Sequence, residues 1–157
     1  MHVIFNFHLI ALSSALYEKL CVLFNLGACC SESAAAQPLD SDDSLKTAAK
    51  LYQLAAGAFA YIRDNSLTAT RNDCTLDLFP ETLTLLTSVM LAQAQEVFYL
   101  KCVKDRMKDL TLSKIVAQCA DFYADAMKAV QHESLKELQK VSSLSPLCHF
   151  KKTNIRS

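Results

Sequence analysis

The feature that most constrains the fold lies within residues 88–127, in the first of two helical segments joined by a short charged turn. This segment contains the consecutive residues Val97, Phe98, Tyr99 and Leu100. Successive side chains on an α-helix are rotated by about 100°, so these four point in almost every direction around the axis. The segment is therefore too apolar to lie on a surface. We predict that one face docks on a neighbouring helix and that at least one of the four side chains meets a second neighbour, solvent or a partner.

The composition favours a single all-helical domain. The chain has 157 residues, 52% of them apolar, with two glycines and three prolines. A chain of this length buries roughly 70% of its unfolded surface, and its abundant Ala, Leu, Lys, Glu and Gln are good helix formers. Sixteen basic and sixteen acidic residues balance, so no overall field favours nucleic acid or an acidic membrane. Because polar residues interrupt every apolar run before about 20 residues, we predict no membrane span.

The apolar spacing predicts four long helices, a short fifth helix and a loose tail. Ser or Asp within residues 40–43 can cap the second helix. Pro80 suits the first position of the third helix, and Asp109 or Thr111 is expected to cap the fourth. The predicted segments cover about residues 9–35, 40–69, 80–106, 109–131, 133–141 and 142–157.

Two glycines fall inside the predicted helices and have different expected effects. Gly27 weakens the first helix, because glycine loses more backbone freedom there than any other residue. Gly57 lies among the alanines of the second helix. We expect it, together with those alanines, to permit the close approach of a neighbouring helix.

Connectivity places one set of residues at a common end of the bundle. Long helices joined by short turns alternate in direction, so the start of the second helix, the end of the third and the start of the fourth lie together. Basic residues outnumber acidic ones within residues 101–114 of that end. Exposed apolar groups with basic neighbours suit an acidic amphipathic helix. The residues that this connectivity places at the common end are Asp42, Phe98, Lys101, Leu112, Lys114 and Ile115.

A plainer interpretation explains the same pattern. Core residues behind an ordinary solvated turn would give this spacing, and the physics of the sequence alone favours that interpretation. For Asp42 the corresponding alternative is a helix cap with no further role.

Cysteine and histidine positions show no enzymatic or metal-binding pattern. The seven cysteines form no CxxC motif, and most occupy apolar helical positions, where a thiol acts as a small hydrophobe. The adjacent Cys29 and Cys30 lack a second pair at metal-ligand spacing. The four histidines lie in terminal or weakly patterned stretches. We therefore expect no enzyme, no metal and no cofactor. The apolar N-terminus lacks the basic start of a signal peptide, so a reduced cytoplasmic setting is expected.

Several blocks of sequence resemble one known family. LAQAQEVFYLK followed by DRMKD, LKTAAKLYQLAAGAFAYI in the second helix and YEKLCVLFNLGA in the first are similar to the Bro-type domain, in the same order. The resemblance covers about residues 9–131 and well under half of a full domain of this type. Residues 1–8 and 132–157 do not share it. It implies an all-α antiparallel bundle of long helices from the family's tetratricopeptide-like core.

The resemblance also implies a function and a site. Bro-type domains are non-enzymatic adaptors, recruited from the cytoplasm to endosomes, that bind the C-terminal amphipathic helix of Snf-type ESCRT-III subunits. They act in multivesicular body formation, virus budding and abscission. The implied apolar contacts are Phe98, Thr111 and Ile115. Charged residues surround them at Asp42, Lys101 and Lys114.

Thr111 departs from this pattern, because the family site has a larger aliphatic residue there. We expect Leu110 or Leu112 to compensate, with the affinity affected more than the position of the site. Two alternative functions stay open: a helical repeat scaffold that binds a different protein, and a truncated product without function. Apolar surface left uncovered along the first helix and residues 97–100 also predicts self-association.

Overall fold

A computed structural model describes residues 15–69 and 76–131, and over these residues it contains helices and no strand. The helices are α1 (Ala15–Ala35), α2 (Asp42–Ala69), α3 (Pro80–Lys104) and α4 (Asp109–Val130), with a short 3-10 helix at Leu76–Leu78 before α3. The predicted all-α class is confirmed. The predicted start of the first helix, the short helix at 133–141 and the tail at 142–157 lie outside the described residues.

Two serines fix the start of α2. The Ser44 backbone N–H donates to Ser41 Oγ at 3.1 Å, and the Ser41 backbone N–H donates to Ser44 Oγ at 3.2 Å. This reciprocal arrangement is a capping box, in which two otherwise unpaired donors at the helix start are satisfied. Ser41 is therefore the cap, so the alternative of Asp42 as a cap is wrong. Asp42 is the first helical residue, and its carboxylate is available for other contacts.

The starts of α3 and α4 differ in how well the sequence predicts them. Pro80 opens α3 as expected. The predicted caps of α4 are wrong, because Lys108 is the N-cap, with extended backbone and no side-chain capping bond. Asp109 is instead the first residue of α4. A carboxylate there is favourable because the N-terminal end of a helix carries partial positive charge.

The helices pack mainly on their neighbours in the chain, so α1 contacts α2, α2 contacts α3 and α3 contacts α4. This is an array of antiparallel helices in which α3 has a packed helix on each side. Two neighbours explain why α3 buries residues around most of its circumference. By length and composition α3 is apolar enough to cross a membrane, but burial between α2 and α4 accounts for that composition in the described part of the chain.

Gly27 rather than Gly57 permits a close helix contact. A Cβ added at Gly27 would lie 3.0 Å from the ring of Phe59, whereas one at Gly57 would meet nothing within 4 Å. Gly27 shares its face with buried Leu20 at the interface with α2. The expectation for Gly57 is therefore wrong, although the preceding Ala55 and Ala56 are buried. The ring of Phe59 also packs against Phe24, with centroids 5.4 Å apart.

The two glycines make a matched test of this packing. Gly57→Leu should stabilise the fold by about 0.5–1 kcal/mol, because leucine is the better helix former and the site is open. Gly27→Leu gains the same propensity but overpacks the α1–α2 interface, which costs about 1–3 kcal/mol. Urea unfolding followed by circular dichroism measures both. Equal stabilisation by the two substitutions would show that α1 does not pack on Phe59 as described.

The outer face of α1 carries apolar side chains that no described residue covers. Val22 is 64% exposed and Leu26 is 54% exposed. They lie four residues apart, so they are neighbours on the helix surface. Self-association through this face stays a prediction.

Candidate functional site

The start of α2 and the end of α3 meet at one end of the array, as alternating connectivity requires. The Lys101 ammonium lies 3.0 Å from Asp42 Oδ2, and Lys104 Nζ donates to the Asp40 carbonyl at 2.9 Å. The start of α4 is joined less directly, through a 3.4 Å bond from Gln95 Nε2 to the Ile115 carbonyl. The structure thus places Asp42 beside Lys101 and brings the three helix ends to one side of the molecule.

An ionic network of two acids and two bases occupies this end. Lys101 Nζ contacts Asp105 Oδ1 at 2.7 Å and Oδ2 at 2.6 Å, in addition to Asp42. Lys104 Nζ lies 3.5 Å from the second carboxylate oxygen of Asp42. The network is neutral overall, since each lysine charge is matched by one carboxylate. Its lysines therefore attract an acidic partner less than isolated lysines would.

The network keeps Asp42 and Lys101 charged over a wide pH range. The hydrogen bond from Lys101 is the main cause that lowers the pKa of Asp42 below its ordinary value of 3.8. Bonds to Asp105 and then Asp42 raise the pKa of Lys101 above 10.5. The stability contributed by Asp42 is present above pH 3.8 and is lost as the pH falls through its lowered pKa. The stability contributed by Lys101 is present below pH 10.5 and is lost as the pH rises through its raised pKa. The network is therefore intact at neutral pH.

A residue with left-handed backbone conformation ends α3. The Met107 N–H donates to the Cys102 carbonyl and the Arg106 N–H donates to the Val103 carbonyl, each at 3.0 Å. These two bonds form a Schellman motif, which requires a left-handed residue just beyond the helix. Arg106 takes that position with φ of 52°. Glycine is the usual residue there, because a side chain at positive φ is strained.

Replacing this arginine should stabilise the helix end. We expect Arg106→Gly to raise the free energy of unfolding by about 1 kcal/mol, because left-handed backbone costs a non-glycine residue about 1–2 kcal/mol and added unfolded-state entropy offsets part of the gain. Thermal and urea unfolding would measure the change. Arg106→Ala is the control, since it removes the same charge and keeps the strain. Equal stability of the two variants would contradict this account.

Phe98 is the most solvent-exposed side chain of the apolar run at residues 97–100. Val97 is buried, whereas Phe98 is 47% exposed and Leu100 is 39% exposed. Residues two apart on a helix are rotated by about 200°, so Phe98 and Leu100 lie on opposite faces of the array. Phe98 lies on the same side of α3 as Lys101, which is three residues further along the helix. The run therefore meets a core and solvent at once, as expected from its four consecutive large side chains.

Ile115 is buried and Leu112 is partly buried. Ile115 is only 8% exposed, and its backbone carbonyl accepts a bond from α3. Its side chain therefore belongs mainly to the α3–α4 interface. If a partner helix docks here, Ile115 can offer only the edge of its side chain as a floor.

The remaining predicted residues lie on the exposed part of α4. Thr111 and Lys114 are both exposed, and Lys114 forms no ion pair with the residues that the structure describes. Leu110 is 71% exposed, more than any other large apolar side chain described. An exposed leucine beside Thr111 is in keeping with the predicted compensation, which remains a prediction.

Lys104 and Asp105 are members of this end that the sequence prediction did not select. The spacing of Lys101 and Asp105 is a readable signal, because residues four apart are neighbours on a helix surface. The contact of Lys104 with the carbonyl of Asp40 joins residues 64 apart in sequence. Only the packed arrangement of α2 and α3 could reveal it.

The part of the chain that the structure covers holds no group of three or more His, Cys, Asp or Glu placed to bind a metal. Cys102 and Cys119 are buried, as expected for thiols that act as small hydrophobes, and burial is the main cause that raises the pKa of Cys102. Cys29 is exposed. The four histidines lie outside the described residues.

The antiparallel array of four long helices defines the class of protein, which is an all-helical domain. A family model of the BRO1-like domain matches residues 4–157. The chain belongs to the BRO1-like domain family. The match includes residues on both sides of the predicted domain at 9–131.

Relatives and a solved structure agree with the family. The programmed cell death 6-interacting protein of Xenopus laevis is 51% identical over 124 residues, which cover 79% of this chain and 14% of the relative. Vacuolar protein-sorting protein BRO1 of Gibberella zeae is 41% identical over 125 residues, which cover 80% of this chain and 12% of that relative. A solved ALIX BRO1–CHMP4C complex matches with a TM-score of 0.84 and 44% identity over 93% of this chain and 40% of that chain. This chain therefore spans a small part of these relatives.

Proposed function

We propose that this chain is a non-enzymatic adaptor segment that binds the C-terminal amphipathic helix of an Snf-type ESCRT-III subunit. The observation that carries the proposal is the half-exposed Phe98 at the array end, beside charged side chains of α2 and α3. The match to ALIX BRO1, which was solved with CHMP4C, supports a partner of this kind. The similarity to a vacuolar protein-sorting protein supports a role in endosomal sorting, with recruitment from cytoplasm to endosomes.

The solvent exposure of each side chain indicates its role in binding the partner helix. Phe98 is the main apolar anchor, because a large aromatic that is half exposed can bury much surface in a partner groove. Thr111 and Leu112 flank the anchor, and Ile115 forms the floor. Lys114 is the exposed cation best placed to attract an acidic helix, and rim charges of this kind mainly affect association rate and salt dependence. Asp42 and Lys101 hold the helix ends in position.

The proposal is tested by titrating the full chain with a synthetic peptide of an ESCRT-III tail helix. A peptide of the same composition with its apolar stripe scrambled is the control, because the mode requires apolar residues on one helical face. Saturable binding of the native peptide alone is the expected result. Equal or absent binding of the two peptides would contradict the proposal.

A further inference from the structure

We propose that Asp105 is an intramolecular competitor for the acidic partner: its carboxylate occupies the Lys101 ammonium and so lowers the affinity of the site. This inference deepens the proposed function and rests on it. Asp105 would thus set the affinity of the site without contacting the partner as an anchor.

Lys101 has no hydrogen-bond donor left for a partner. A lysine ammonium carries three N–H donors. Asp105 contacts it through both oxygens, at 2.7 and 2.6 Å, and Asp42 Oδ2 lies 3.0 Å away. The Lys101 side chain is only 18% exposed. An incoming carboxylate must therefore displace one of the two acids before it can pair with Lys101.

Asp105 makes the shorter contacts with Lys101, but its place at the end of α3 is less favourable for a carboxylate than that of Asp42 at the start of α2. Asp42 opens α2, where the positive end of the helix favours a carboxylate, and Lys104 also lies beside it. Asp105 lies at the C-terminal end of α3, where the helix dipole disfavours negative charge. An ion pair on a helix is also weaker when the lysine precedes the acid by four residues, as Lys101 precedes Asp105, than when the acid comes first. Asp105 is therefore the acid that a partner would displace.

The charges of the network also balance. Asp42 and Asp105 neutralise Lys101 and Lys104, so the network presents no net charge to a partner. Removing the charge of Asp105 frees donors on Lys101 and leaves the network positive. Asn is well tolerated at helix C-terminal positions, so Asp105→Asn tests the charge without a large change to the fold.

The experiment measures the Kd of Asp105→Asn for the synthetic ESCRT-III tail peptide at low and high salt. We expect binding about three- to fivefold tighter than wild type at low salt, the range that an exposed ion pair supports. The gain should shrink at high salt, because exposed charges are screened. Asp43→Asn is the matched control: it removes the same charge at the same end, but its side chain is 98% exposed and lies 3.9 Å from Lys46 rather than near Lys101. Its Kd should stay unchanged.

A double mutant separates this mechanism from a general charge effect. In a Lys101→Gln background the Asp105→Asn substitution should give no gain, because the ammonium under competition is absent. If wild type binds but Asp105→Asn does not tighten binding, or tightens it equally in the Lys101→Gln background, the competitor role is wrong and the proposed function stands. If wild type does not bind the peptide, the proposed function fails and this inference fails with it.

Discussion

Phe98→Asp is expected to abolish binding of the ESCRT-III tail helix while leaving the fold intact. Central apolar anchors of helix-in-groove sites are worth about 2 kcal/mol or more, and each 1.4 kcal/mol is tenfold in Kd, so the loss should be at least about 30-fold. Phe98 is 47% exposed. A carboxylate there stays solvated, which is why helicity should be retained. Isothermal titration and circular dichroism on the same preparation measure both properties.

The matched control for this result is Leu100→Asp. Leu100 is on the same helix and is 39% exposed, but it points about 200° away from Phe98. Its replacement should leave the affinity for the peptide unchanged. If Leu100→Asp weakens binding as much as Phe98→Asp, the partner does not dock on the Phe98 side. If Phe98→Asp binds normally, the anchor lies elsewhere on the molecule.

Ile115→Asp should have a different effect, because it should strongly destabilise the fold as well as prevent binding. The side chain is 8% exposed in the α3–α4 interface, and an uncompensated buried charge costs about 3–5 kcal/mol. Domains are stable by only about 5–15 kcal/mol, so a large share of the free energy of unfolding should be lost and the melting temperature should fall markedly. Thermal unfolding followed at a helical wavelength would show this.

Thr111→Asp is the control for this second prediction. Thr111 lies one turn before Ile115 on α4 and is exposed, so the same charge there should leave the melting temperature nearly unchanged. An Ile115→Asp variant that keeps the wild-type melting temperature and loses only peptide binding would show that Ile115 is more open than the structure indicates. That outcome would make it a direct partner contact instead of the floor of the site.

The helices could be predicted from the sequence because their signals are local. The spacing of apolar residues and the position of Pro80 are enough to place the start of α3 correctly. The apolar run at 97–100 is also informative by itself, because four large consecutive side chains require more than one environment. In the structure Val97 is buried and the adjacent Phe98 is exposed, on a helix that packs against neighbours on both sides.

Caps and glycine roles were less predictable. Several Ser, Thr and Asp residues near a helix start satisfy the same local rule, so the choice of Ser41 over Asp42, and of no side-chain cap at α4, depends on the backbone of the loop. Gly27 and Gly57 look alike in sequence. They differ only in which side of the helix meets a neighbour, which the rotation of α1 against α2 decides.

The sequence by itself determined the all-helical class, the order of the long helices and the end of the array where the candidate site lies. These depend on periodicity and on alternating chain direction. The tertiary structure decided that Ile115 is buried, that Lys101 is already paired and that Lys104 reaches Asp40. The reason is that side-chain partners across helices depend on the rotation and offset of packed helices. Long-range contacts set those quantities, and no spacing within one helix records them.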